Sequence, residues 1–156
     1  GKTVGKLFVV SMFISIGSIL MHPSTWVYFG IIHLITVALP ISVLFVRLPN
    51  LALIMGVLSI VGYWTGTLNL HPIWEWSVLH LGIPTRTVDL ASFFPWIGVV
   101  LIGVFLMHKE LFQVKVSPNA TLNKLVFLGR HSLIIYLVHQ PILYGLFGLT
   151  DVILGR

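Results

Sequence analysis

The chain has 156 residues, 57% of them hydrophobic and 8% charged, and a mean hydropathy of +1.03, which excludes an ordinary soluble globular domain. Nine Lys and Arg against four acids give a net charge of +5. In a soluble protein that balance suggests nucleic acid, but here the bases stand at the ends of apolar runs, where membrane topology accounts for them and nucleic-acid binding does not. With no cysteine there is no disulfide framework, no thiolate nucleophile and no Cys-ligated metal.

Five apolar runs, 4–21, 26–46, 51–68, 90–107 and 125–149, are each long enough at 1.5 Å per residue to cross a hydrocarbon core of about 30 Å. They predict an all-α integral membrane bundle, a single transmembrane domain over 1–156. The first run is closed by His22-Pro23-Ser24, and the second carries Pro40 and ends at Arg47-Leu48-Pro49-Asn50, a turn sequence. In the third, Gly62 and Gly66 form a GxxxG pair, which permits close helix contact although it also recurs by chance in apolar helices. The connection from Asn69 to Val88 carries His71, Trp74, Glu75, Trp76, His80, Pro84 and Arg86 and is predicted to lie in the outer interface. Pro95 stands near the start of the fourth run, where a missing amide costs least. The stretch from His108 to Lys124 is polar and basic.

Counting bases by side sets the orientation. Lys2, Lys6, Arg47, Lys109, Lys115, Lys124 and Arg130 fall on one face and only Arg86 and Arg156 on the other, so the N-terminus of this chain is expected in the cytoplasm. All five tryptophans, Trp26, Trp64, Trp74, Trp76 and Trp96, then fall at the outer interface, which indoles favour.

Polar residues inside apolar runs are the candidates for chemistry. His33 lies about 10 Å below the outer end of the second run and His139 about 21 Å above the inner end of the fifth, so both are expected near one depth. Ser132, Tyr136, His139 and Leu143 share one helical face, and Phe29, His33, Thr36 and Pro40 make a matching stripe. Imidazole suits a general base in an embedded cavity; the plain alternative is that each histidine only hydrogen-bonds a neighbouring helix. Asp89, three residues after Arg86, either orients a histidine or binds a substrate amine or hydroxyl, or caps the fourth span. The His71, Glu75, His80 spacing fits no common ligand pattern, and no metal is expected. His108 and His131 stand among the cytoplasmic bases, a cluster suited to headgroups or to a phosphorylated donor.

Three stretches, YFGIIHLI at 28–35, DLASFFPWIGVVLIG at 89–103 and LGRHSLIIYLVHQPIL at 128–143, resemble bacterial membrane proteins similar to the catalytic domain of heparan-alpha-glucosaminide N-acetyltransferase. The resemblance implies a multi-helix enzyme of the bacterial inner membrane. It would take an acyl group from cytoplasmic acyl-CoA, acetyl-CoA in the simplest case, and deliver it to the amine or hydroxyl of a sugar or glycan acceptor at the outer face. Carried over residue by residue, the positions are His33, Asp89 and Trp96, then Arg130, His131, Ser132, His139 and Gln140. His33, His139 and Asp89 are the expected catalytic group. Arg86, Trp96, Tyr136, Gln140 and Ser132 are expected on the acceptor, and Arg130, His131, Lys124, Lys109 and Lys115 on the donor's phosphates. Where the family pattern has proline three residues after the aspartate, this chain has Ser92. The family's upstream part, with an arginine-containing motif and a histidine held to be catalytic, is not in this sequence, so the chain is expected to be cut from a longer protein. Expected partners are the bilayer and the acceptor, with a homo-oligomer as a further possibility. The rival class is a non-enzymatic membrane protein, a transporter or an assembly subunit, in which the same histidines relay protons or pack.

Overall fold

The computed structural model describes residues 2–111 and 120–139 together with Ile142, Leu146 and Thr150. Every regular element among the described residues is a helix. The single domain expected over 1–156 divides into two compact units, Gly1–Gln113 and Val114–Arg156.

In the first unit α1, Lys2–Met21, is the one described helix long and apolar enough to cross a bilayer. Leu7, Ser11, Ser15 and Ser18 recur along it at spacings of four, four and three, which puts them on one face. Leu7 and Ser11 of that face are buried, and α1 packs against α2, Ile31–Phe45. Small hydroxyl residues let the two backbones come close and leave oxygens facing the partner.

The second apolar run does not become helix until Ile31, five residues later than its hydrophobicity predicts. The cause is competition for the backbone of residues 26–30. Val27 donates its amide to Ser18 Oγ at 2.9 Å and accepts from Ser15 Oγ at 2.8 Å, Trp26 accepts from Thr87 Oγ1 at 2.9 Å, and Phe29 accepts from the Ala91 amide at 3.0 Å. With partners supplied from elsewhere in the chain, these groups have no need of a helical turn. Pro40 sits inside α2, which runs on to Phe45.

Helix α3, Pro49–Trp64, begins on proline, whose fixed φ and missing amide suit a first turn. It stops four residues short of the expected 68. Leu68 donates its amide back to Gly62 O at 2.9 Å, the hydroxyls of Thr65 and Thr67 donate to the same carbonyl, and Gly66 takes φ +75. This is a helix-ending turn in which only glycine fits the left-handed position without strain. The Gly62 and Gly66 pair therefore terminates α3, with Leu68 folded over Gly62, and is not a helix-crossing motif. The close crossing lies elsewhere, between α3 and α5, Phe93–His108. A Cβ on Gly56 would stand 2.8 Å from Gly98 O, and one on Gly98 would stand 2.6 Å from Gly56 O. Ala38, Ala52, Ile97 and Leu101 form the core where α2, α3 and α5 meet.

The 69–88 connection contains its own helix, α4, His71–Leu81, closed by Gly82 at φ +63. No residue of α4 is buried. In α5 the backbone at Phe94 is still extended, so regular helix begins at Pro95 and not at 90. The apolar helices α2, α3 and α5 have 15, 16 and 16 residues, or about 22–24 Å of rise. Of the four runs of this unit expected to be long enough to span, one is a helix of spanning length and three are shorter apolar helices.

In the second unit α6, Ala120–Arg130, is followed by a helix over 132–139. The run expected as one span from 125 is interrupted by a turn at His131, whose amide is shared between Phe127 O at 3.2 Å and Leu128 O at 3.1 Å. The His131 ring adds a bond from Nδ1 to the same Phe127 carbonyl at 2.8 Å, so the local hydrogen bonds tighten at this residue.

Candidate functional site

His33 is buried at the start of α2, where it is the third helical residue after Gly30. Its Nδ1 accepts the Gly30 amide at 3.3 Å, the reach-back bond of a capping box. Because Nδ1 accepts, the ring proton sits on Nε2, which donates to Ser15 Oγ at 3.0 Å. Ser15 in turn donates its own proton to Val27 O at 2.8 Å. The relay starts on a backbone amide and ends on a backbone carbonyl, so the histidine donates to the serine and does not strip it, the reverse of a nucleophile–base pair. Phe29, placed on the His33 stripe by sequence, lies just outside the helix with its ring 6.2 Å from the imidazole.

Asp89 reaches the same place from 56 residues further along the chain. Its Oδ2 accepts the Ile31 amide at 3.2 Å, so the carboxylate caps α2 and not the helix that follows it in sequence. The N-cap position of α5 belongs to Ser92, without a side-chain bond. A Cβ at Gly30 would overlap the Asp89 carboxylate, which would have to shift from its cap. His33 and Asp89 are therefore brought together, and what joins them is the Gly30–Ile31 backbone. Arg86 is exposed. The one ion pair among the described residues is His71 to Glu75 at 3.2 Å, so Arg86 does not pair with Asp89. Trp96 is half-exposed on α5, and Lys109 closes that helix with Nζ 5.8 Å from the centre of the Phe105 ring.

In the second unit the helix over 132–139 carries Ser132, Tyr136 and His139. The Tyr136 and His139 rings lie 5.3 Å apart, and His139 Nδ1 donates to the Tyr136 carbonyl. A carbonyl only accepts, so in the neutral ring Nδ1 carries the proton and Nε2 the lone pair. Nε2 makes no hydrogen bond among the described residues, and the side chain is exposed. Lys124 and Arg130 are exposed on α6, with His131 at the turn after it. Lys115 and Gln140 lie outside the described residues.

Sequence reasoning missed two features of the first unit. Ser15 and Ser18 hold Val27, and their spacing with Leu7 and Ser11 on one face of α1 was the signal. The other is a cavity of about 540 Å³ beside α4, walled by Tyr28, Phe29, Trp74, Phe93 and Phe94. No local pattern announces it, because these walls come from three separate stretches of the chain. Among the described residues no group of three or more His, Asp or Glu could hold a metal ion.

Compared with known proteins, residues 1–141 match the family model described as heparan-alpha-glucosaminide N-acetyltransferase, catalytic. No curated protein and no solved structure matches the chain.

Proposed function

The chain belongs to the heparan-alpha-glucosaminide N-acetyltransferase catalytic family, and on that premise we propose that it takes part in transferring an acyl group from an acyl-CoA to an amine or hydroxyl of a sugar. The family match over most of the chain carries this reading. The thioester C–S bond breaks, an amide or ester bond forms, the coenzyme leaves as its thiol, and a base takes the proton of the attacking amine or hydroxyl.

His139 suits the base better than His33. Its Nδ1–H is anchored on a carbonyl and its Nε2 carries the lone pair, whereas both His33 nitrogens are engaged in holding the start of α2. Asp89 and His33 act by positioning that start, with Arg86 and Trp96 toward the acceptor. Tyr136 and Ser132, on the helix of His139, and Gln140 are assigned to the acceptor as well. Lys109, Lys115, Lys124, Arg130 and His131 attract the donor's phosphates, as point charges and guanidinium forks do.

The setting we propose is the bacterial inner membrane, with the N-terminus of this chain cytoplasmic. Large apolar side chains on the outer faces of the helices support it: Phe13 is 71% exposed, Leu20 79% and Leu44 73%. Water would penalise such faces, and lipid would not. The test is transfer of radiolabel from acetyl-CoA to glucosamine by membranes containing the full protein. Transfer above that of empty membranes is expected; equal counts in both would overturn the reading.

A further inference from the structure

Helix α4 comes into close packing with no other helix among the described residues. Among the described residues, a hydrogen bond from Trp74 Nε1 to Tyr28 OH at 2.9 Å ties it to the unit. Beneath that bridge lies the cavity of about 540 Å³, within the range of sites that take small molecules.

Its chemistry is one-sided. Tyr28, Phe29, Trp74, Phe93 and Phe94 are half-buried walls and Ala91 is buried. Three of the polar side chains around it bond within their own segment. Ser77 donates to Ile73 O, Asn69 donates to Gly66 O and accepts the His71 amide, and His71 Nδ1 pairs with Glu75. Asn69, His71 and Ser92 are exposed, so the polar atoms stand at the rim and the interior is aromatic. A sugar ring inside would bury hydroxyls without enough partners. A run of methylenes gains from every carbon it hides there.

We propose that the cavity under α4 binds the hydrocarbon chain of the acceptor, so that the sugar receiving the acyl group is carried on a lipid or alkyl anchor and rests at the Asn69 and His71 rim. This rests on the acyltransferase reading above and names the substrate class for it. Hydrocarbon could reach the cavity from two sources, the acceptor's own chain or a bulk phospholipid, and the test separates them.

Full protein in nanodiscs is irradiated with dodecyl glucosaminide carrying a terminal diazirine, and in a second arm with a diazirine phosphatidylcholine. Labelled peptides are mapped by mass spectrometry. The glucosaminide probe is expected to label peptides covering 71–81 and 90–94, and excess unlabelled dodecyl glucosaminide should reduce that label by about fivefold or more. Leu90→Trp, at an exposed wall position, and Ser77→Phe on α4 should each reduce it independently. In the transfer assay KM should be about tenfold lower for dodecyl than for methyl glucosaminide. Label from phosphatidylcholine that the glucosaminide does not displace gives the cavity to bulk lipid and overturns the acceptor assignment. No label at these peptides overturns it too. If no glucosaminide is acylated yet the competed label is present, the acyltransferase reading fails and the cavity assignment stands. If all chain lengths are acylated equally and no label appears, only the cavity assignment fails.

Discussion

The two units place a histidine in opposite circumstances. His33 is enclosed, with Nδ1 taken by the Gly30 amide and Nε2–H given to Ser15. His139 is exposed, with Nδ1–H given to the Tyr136 carbonyl and Nε2 without a hydrogen bond among the described residues. The same side chain serves two ends because the second nitrogen decides its use. When both nitrogens meet backbone or hydroxyl, the ring is a strut; when one anchors and the other makes no bond, the second nitrogen is left able to accept a proton.

Replacing His139 by Ala is the largest expected effect. The rate of label transfer from acetyl-CoA to glucosamine should fall by about 100-fold or more, the usual contribution of a positioned base, while expression and melting temperature stay at wild-type values. A wild-type rate in this variant would erase the distinction between the two histidines.

His33→Ala should behave in the opposite way. It strips the Gly30 amide and Ser15 of their partner and leaves a void, so the first unit should lose about 2 kcal/mol of stability, seen as a lower melting temperature in detergent. The rate per folded molecule should fall far less than in the His139 variant. A large rate loss at unchanged melting temperature would make His33 the reacting group instead. Asp89 sharpens the point at smaller scale. Asp89→Asn keeps an oxygen for the Ile31 amide and should melt near wild type, whereas Asp89→Ala loses the cap and about 1 kcal/mol. If Asn and Ala are equally damaging, the charge matters and not the cap.

How far these arrangements could be read beforehand depended on how local their causes are. Helix α1 is close to its predicted extent because one unbroken apolar run makes it. Residues 26–30 are as apolar as a helix, yet their backbone is captured by Ser15, Ser18, Thr87 and Ala91, of which Thr87 and Ala91 lie far outside any local window. The Gly62 and Gly66 spacing has two structural uses, a helix crossing or a helix end, and only the fold-back of Leu68 selects the second. Gly56 and Gly98, which do meet, are 42 residues apart and carry no motif. For the site, His33 and Asp89 were legible as polar residues in apolar surroundings, and their proximity is real. Their division of labour was not, since it turns on which atom donates to which.

The smallest expected effect concerns the second unit's charges. Lys124 and Arg130 are exposed on α6, and if they draw in the donor's phosphates they do so through solvent, where one charge alters affinity only modestly. Lys124→Gln should raise KM for acetyl-CoA by about threefold with little change in kcat, and the double variant with Arg130→Gln by more. The difference from wild type should shrink as salt is raised, because the Debye length falls from about 10 Å at 0.1 M to 3 Å at 1 M. The corresponding change at Lys6 of α1, in the other unit, should leave that KM where it was. Equal effects at Lys6 and Lys124 would mean a diffuse attraction to the basic face and not a donor site. An effect confined to Lys124 and Arg130 would place donor capture and the open histidine nitrogen on the same short stretch of chain.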